Sequence, residues 1–246
     1  MKMTKLVTTA TVAVSTLVLG GAIASAATYS TGGTVKFVTD TDITTPVDPL
    51  DPGEEVTPVD PTDPEKPIKP GTPGPLSIDF ASPLYFGEQK VSPKDQVYPA
   101  NAQPIVGGET RPNYVQVTDK RGGELGWSLQ VKQNAQFETA EKNILTGAAI
   151  SFENGKAVTD SESLIPSIVT KTFSLVPGAD QVVMTAAEGE GAGTQLYRAG
   201  DDATKANSVK LAVPGKTTKY KGTYETNLTW TLSDVPTNEV DPDPEA

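Results

Sequence analysis

No cysteine and no histidine occur among the 246 residues. Without cysteine there is no disulfide and no thiol nucleophile, so the folded part must be held by packing alone. Without histidine there can be no Ser-His-Asp triad and no histidine-ligated metal. Tryptophan is almost absent, with only two in the chain. Long apolar runs are missing too, apart from one at the N-terminus. There, Lys2 and Lys5 precede an apolar stretch centred on Val12, Val14, Leu17, Val18 and Leu19, and Ala24-Ser25-Ala26 follows. A short positive start, a brief apolar core and small residues make the pattern of a cleaved export signal over residues 1–27. Cleavage after Ala26 and cleavage after Ala27 fit equally well. The run is too short for a comfortable bilayer span, which takes ~20 apolar residues. The mature chain is therefore expected to be secreted and free of any membrane span. No LPxTG-like motif with an apolar tail is seen, so no covalent tie to a wall is expected.

The formal net charge is −11, and it is unevenly distributed. Residues 40–69 carry nine acids against two lysines, and residues 234–246 carry five acids and no base. Residues 76–233 carry 17 acids and 15 bases, so that stretch is nearly balanced. Acidity confined to the ends solubilises the chain and argues against nucleic acid as a partner.

Prolines 46, 49, 52, 58, 61, 64, 67, 70 and 73 share one three-residue register, broken only at Glu55. Polyproline II repeats every three residues and rises ~3.1 Å per residue, so thirty such residues would reach roughly 90 Å. Residues 41–75 are thus expected to form an extended acidic spacer, with a ligand for a proline-binding module as the sharper alternative. Before it, in the 28–40 segment, Val35 and Phe37 alternate with polar neighbours as in a strand. A lone strand is not stable in water, so this one is expected to pair with an edge of the downstream domain.

From Leu76 onward, apolar and polar residues alternate again and again. The alternation covers Leu76–Phe80, Val115–Thr118, Trp127–Lys132, Ala148–Phe152 and Val209–Val213, and is longest over Tyr224, Thr226, Leu228, Trp230 and Leu232. Period two marks strands with one buried face. Arg121-Gly122-Gly123, Asn154-Gly155, Pro177-Gly178 and Pro214-Gly215 supply turns between them. Only residues 137–145 could hold a short helical turn. The expected fold is all-β: a single antiparallel β-sandwich-like domain over residues 76–234, followed by an acidic tail, 235–246.

The two tryptophans sit in matching tripeptides, Trp127-Ser128-Leu129 and Trp230-Thr231-Leu232. Leu145-Thr146-Gly147-Ala148 and the stretch from Val213-Pro214-Gly215 to Gly222-Thr223-Tyr224 complete the layout. The whole resembles the WxL domain of Gram-positive surface proteins, in which a C-terminal WxL motif is paired with a second about a hundred residues upstream. The resemblance covers essentially all of the mature chain, and two motifs at this spacing are far more specific than one. It implies a non-enzymatic surface protein attached non-covalently to the cell wall through peptidoglycan. It also implies association with a membrane-anchored WxL-interacting protein, which is the alternative means of retention.

Trp127 and Leu129 share one strand face, and Trp230 and Leu232 share another. Each pair can be a core plug or an aromatic platform for a sugar ring. Glycines at 122, 123 and 126 suggest the looser, more accessible position for Trp127, while the long alternation suggests a central strand for Trp230. Lys210, Lys216, Lys219 and Lys221 flank the Pro214-Gly215 turn. They are either a solvated rim or candidate contacts for wall polyanions. Glu188-Gly189-Glu190-Gly191-Ala192-Gly193 is expected to be a mobile surface loop, because it lacks both an opposed carboxylate and the spacing of a calcium loop. No catalytic group, cofactor or metal site is nominated.

Overall fold

The computed structural model describes residues 27–234. Nearly all of the signal segment and the whole acidic tail lie outside the described residues. The chain divides into two units, Met1–Lys36 and Phe37–Ala246. In the first, residues 27–36 form no regular structure and are exposed. No strand forms over residues 34–39, and Val35, Phe37 and Val38 are exposed. Alternation alone does not make a strand where no ladder partner is supplied.

The second unit is all-β, with no helix among the described residues. Its strands are β1 (Leu76–Ala81), β2 (Gln96–Pro99), β3 (Gln103–Pro104), β4 (Thr110–Arg111), β5 (Asn113–Asp119), β6 (Trp127–Gln133) and β7 (Ala149–Phe152). They continue as β8 (Gly155–Val158), β9 (Ile168–Val169), β10 (Phe173–Ser174), β11 (Asp180–Ala186), β12 (Gly193–Ala199), β13 (Val209–Val213) and β14 (Leu228–Ser233). Three four-stranded sheets run β1-β5-β12-β8, β10-β7-β13-β2 and β14-β6-β11-β9, and β3 pairs with β4. Every strand pairing is antiparallel. The three larger sheets share one apolar core. Val115 and Val117 enter it from β5, Trp127, Leu129 and Val131 from β6, Ile150 from β7, Met184 from β11, Tyr197 from β12 and Leu211 from β13.

β5 is buried on both faces. Its odd residues face the main core, and the other face carries Tyr114, Gln116 and Thr118. That second face is covered by the proline-rich segment, so residues 41–75 are not a free spacer. Pro52 and Gly53 lie in a reversal closed by the Val47↔Glu55 bridge, at the point where Glu55 breaks the proline register. A rod needs unbroken extended backbone, and a Pro-Gly pair is a turn. The returning strand then bridges Pro58 to Ile105.

The face beneath this strap is built to hold backbone. The Gln116 amide acts as a substitute ladder partner: its Oε1 accepts from Val47 N at 2.7 Å and its Nε2 donates to Thr45 O at 2.9 Å. Arg111 Nε donates to Asp48 Oδ2 at 2.6 Å, and Arg198 Nη1 donates to Pro49 O at 3.3 Å. Phe80, Tyr114 and Leu196 form a second apolar cluster, with Val47, Ile68 and Val158 packed on it.

A bulge in β1, where Ile78 faces Val117 and Phe80 faces Gln116, places Asp79 on this same side. Asp79 is almost fully buried and accepts from Ser77 Oγ at 2.6 Å, Thr118 Oγ1 at 2.6 Å and Gln116 Nε2 at 3.0 Å. Burial pushes its carboxyl above the usual range, and the three donors only partly offset this. A carboxyl raised on folding makes the native state the better proton binder. Its ionised form therefore costs stability above the folded pKa, and that cost disappears as pH falls toward 3.8. Asp79→Asn keeps the shape if its amide nitrogen takes the Oδ1 position: Ser77 Oγ can turn to accept from it, while the amide oxygen still accepts from Thr118 Oγ1 and Gln116 Nε2. It is expected to melt higher than wild type at pH 7, with the gap closing toward pH 4. Thermal melts across that range check this; a gap that widens in acid would contradict it.

Candidate functional site

The two tryptophan motifs, a hundred residues apart in sequence, lie on neighbouring strands. β6 and β14 pair so that Leu129 is directly opposite Leu232, Val131 opposite Trp230 and Ser128 opposite Ser233. Leu129 and Leu232 therefore meet on the core side; Trp127 lies just past one end of the paired stretch, and Trp230 lies within it, opposite Val131. On its other side β6 pairs with β11, which sets Trp127 beside Ala186 and Leu129 beside Met184.

Trp127 is completely buried. Its Nε1 donates to Gly191 O at 2.9 Å, so the indole's one polar group is satisfied inside the core. Gly122 and Gly123 are uncrowded, but the two glycines that touch the Trp127 corner, Gly126 and Gly191, mark close packing and not access. A Cβ at Gly191 would lie 2.5 Å from Ala186 Cβ and 2.7 Å from Trp127 Nε1, and one at Gly126 would lie 2.7 Å from Ala186 O. Arg121 secures the same corner: Nη2 donates to Gly126 O at 2.7 Å and pairs with the buried Asp119 carboxylate at 2.6 Å. The acidic glycine loop is likewise structural. Glu190 Oε2 accepts from Ser167 N at 2.8 Å and Ala187 N at 3.0 Å, and residue 190 bridges Leu164.

Trp230 is only half-buried, and β14 is the edge strand of its sheet. The expected order of the two tryptophans is thus reversed. A long alternation reports one buried face; it does not report how many neighbours a strand has. Trp230 and Leu232 pack against the core from the rim, with Leu84 and Leu228 nearby.

The four lysines separate into different roles. Lys210 Nζ pairs with Glu153 at 2.7 Å. Lys219 Nζ donates to the carbonyls of Pro214, Gly215 and Thr217 at 2.8, 3.3 and 2.9 Å, so its charge holds the turn together. Lys216 and Lys221 are exposed and make no ion pair or hydrogen bond among the described residues. Lys216 stands on an open groove of about 710 Å³ between the turn after β13 and the loop before β7. Lys142, Asn143, Ile144, Thr218 and Tyr220 also line it. The two charged residues of its lining are both lysines, although the chain as a whole is strongly acidic. The walls are tied by Thr217 Oγ1 donating to Thr146 O at 2.6 Å, and Tyr220 N donates to Tyr224 Oη at 2.9 Å. Sequence reasoning reached Lys216 but not Ile144 or Tyr220, because the groove joins segments seventy residues apart.

A family model described as the WxL domain, surface cell wall-binding, matches residues 24–236. The chain belongs to the WxL family. No curated protein and no solved structure matches it. The match spans the whole second unit apart from its tail, strap included, so the WxL domain here begins well before the first alternating strand. This family is one of surface wall-binding domains and not of enzymes. Among the described residues, no helix is long and apolar enough to cross a membrane.

Proposed function

We propose that this WxL protein is exported and attaches non-covalently to peptidoglycan by direct contact of its own domain, without catalysis, cofactor or metal. The observation that carries the reading is the family match: a model described as a surface cell wall-binding domain covers residues 24–236, and so every strand of the fold. The burial of Trp127 and Leu129 supports a division of labour, with that motif building the core and the wall contact lying elsewhere on the surface.

Retention by a membrane-anchored WxL-interacting protein is the second reading. One feature favours it: Val35, Phe37 and Val38 expose a strand-prone segment that no ladder among the described residues uses. Purified sacculi with no other protein present separate the two. Direct attachment predicts retention of the purified chain, unchanged by a chelator. Loss of retention on chelation would remove the metal-free claim, and retention only after a membrane protein fraction is added would favour the partner.

A further inference from the structure

The groove between the loop before β7 and the turn after β13 has what an amphipathic anionic saccharide requires. Tyr220 is 53% exposed and Ile144 is 54% exposed, and both line the groove. Lys216 stands beside them with no partner to neutralise it. The scaffold around these groups is already fixed: Lys219 spends its charge on the turn, and Thr217 ties the turn to the opposite wall. A few convergent polar groups on a preformed apolar surface are the usual form of a small-ligand site.

We infer that this groove is the wall contact and that it takes a peptidoglycan unit, with an amino-sugar ring lying on Tyr220 and a stem-peptide carboxylate at Lys216. This rests on the direct-attachment reading. The C–H face of a sugar packs on the phenol ring, and Ile144 extends the apolar floor. The Lys216 ammonium supplies a point charge for a carboxylate, while Asn143 and Thr218 offer hydrogen-bonding groups to hydroxyls and amides. A repeating polyphosphate is the poorer fit. It would need a track of free cations, but Lys142 is shared with Glu138 at 2.6 Å, Lys210 is paired and Lys219 is occupied. One or two exposed charges alone give attraction that physiological salt largely screens.

The test uses the mature chain with a soluble disaccharide-tetrapeptide as titrant, and purified sacculi either intact or stripped of teichoic acid. Lys216→Gln and Tyr220→Ala should each weaken muropeptide binding about tenfold, a loss of about 1.4 kcal/mol, with unchanged melting temperature. Thr218→Glu, an added charge at an exposed position, should do the same by repulsion and guards against a fold effect in the other two. Lys221→Gln should bind as wild type. If wild type binds the muropeptide and all three groove variants match it, the groove assignment is wrong while direct attachment stands. If wild type binds intact sacculi but not stripped ones, the ligand is the teichoic phosphodiester and the inference fails. If it binds neither, both the inference and the direct-attachment reading fail.

Discussion

Trp127→Ala is expected to cost ~3–5 kcal/mol of folding stability, the range for removing a fully buried aromatic. Its indole touches β11 and the glycine loop together, and its Nε1 holds Gly191 O at 2.9 Å. Truncation would open a cavity and leave that carbonyl unpaired. Trp230→Ala removes a half-buried ring from an edge strand, so roughly half that loss is expected, ~1.5–2.5 kcal/mol. Urea unfolding of both variants checks the order. Equal losses, or a larger one at Trp230, would mean that the β14 edge supports more of the fold than its burial indicates. Because Leu129 and Leu232 are opposed in the ladder, a Leu129→Ala/Leu232→Ala double variant should be non-additive. The two motifs thus act as one structural clasp joining the C-terminal strand to the centre of the domain.

A chain beginning at Gly71 should be less stable than the full mature chain by on the order of 5 kcal/mol. Removing the strap uncovers Phe80, Tyr114 and Leu196, each gaining ~1.5–3 kcal/mol from full burial. It also leaves Arg111 without Asp48 and the Gln116 amide without its two backbone partners. For a domain of this size, 1 kcal/mol moves Tm by about 2–4 °C, so a fall of roughly 10–20 °C is expected. Limited proteolysis gives a second view. Residues 62–67 are exposed and should be cut first, while Asp48, Pro49 and Pro58 are buried and should be protected. An unchanged melt, with early cleavage around residue 48, would restore the spacer.

The strands with one half-buried face were legible: β6, β7, β13 and β14 fall where Trp127, Ile150, Leu211 and Trp230 alternate with polar residues. The two central strands β11 and β12 were not. Met184, Thr185 and Ala186 are buried in succession, as are Gln195, Leu196 and Tyr197, so neither stretch shows a two-residue period. The strap was misread for a different reason. Its prolines match a polyproline rod, and the groups that fold it down, Gln116, Arg111 and Arg198, lie 60 to 150 residues away. Local composition carries no trace of them. The sequence left Trp127 open between core plug and sugar platform, because the glycines before it permit both a loose loop and close approach. The crowding at Gly126 and Gly191, where an added Cβ would lie 2.7 Å and 2.5 Å from its nearest neighbour, decides for the core. The groove was half legible: Lys216 stood out by charge, but Tyr220 and Ile144 gain meaning only when the two loops meet.

Co-sedimentation of the purified mature chain with teichoic-acid-free Gram-positive sacculi, in physiological salt and with no other protein present, tests direct attachment most plainly. Saturable binding that survives a chelator and is competed by soluble muropeptide is expected. A chain that stays in the supernatant until a membrane-anchored partner is supplied would contradict it.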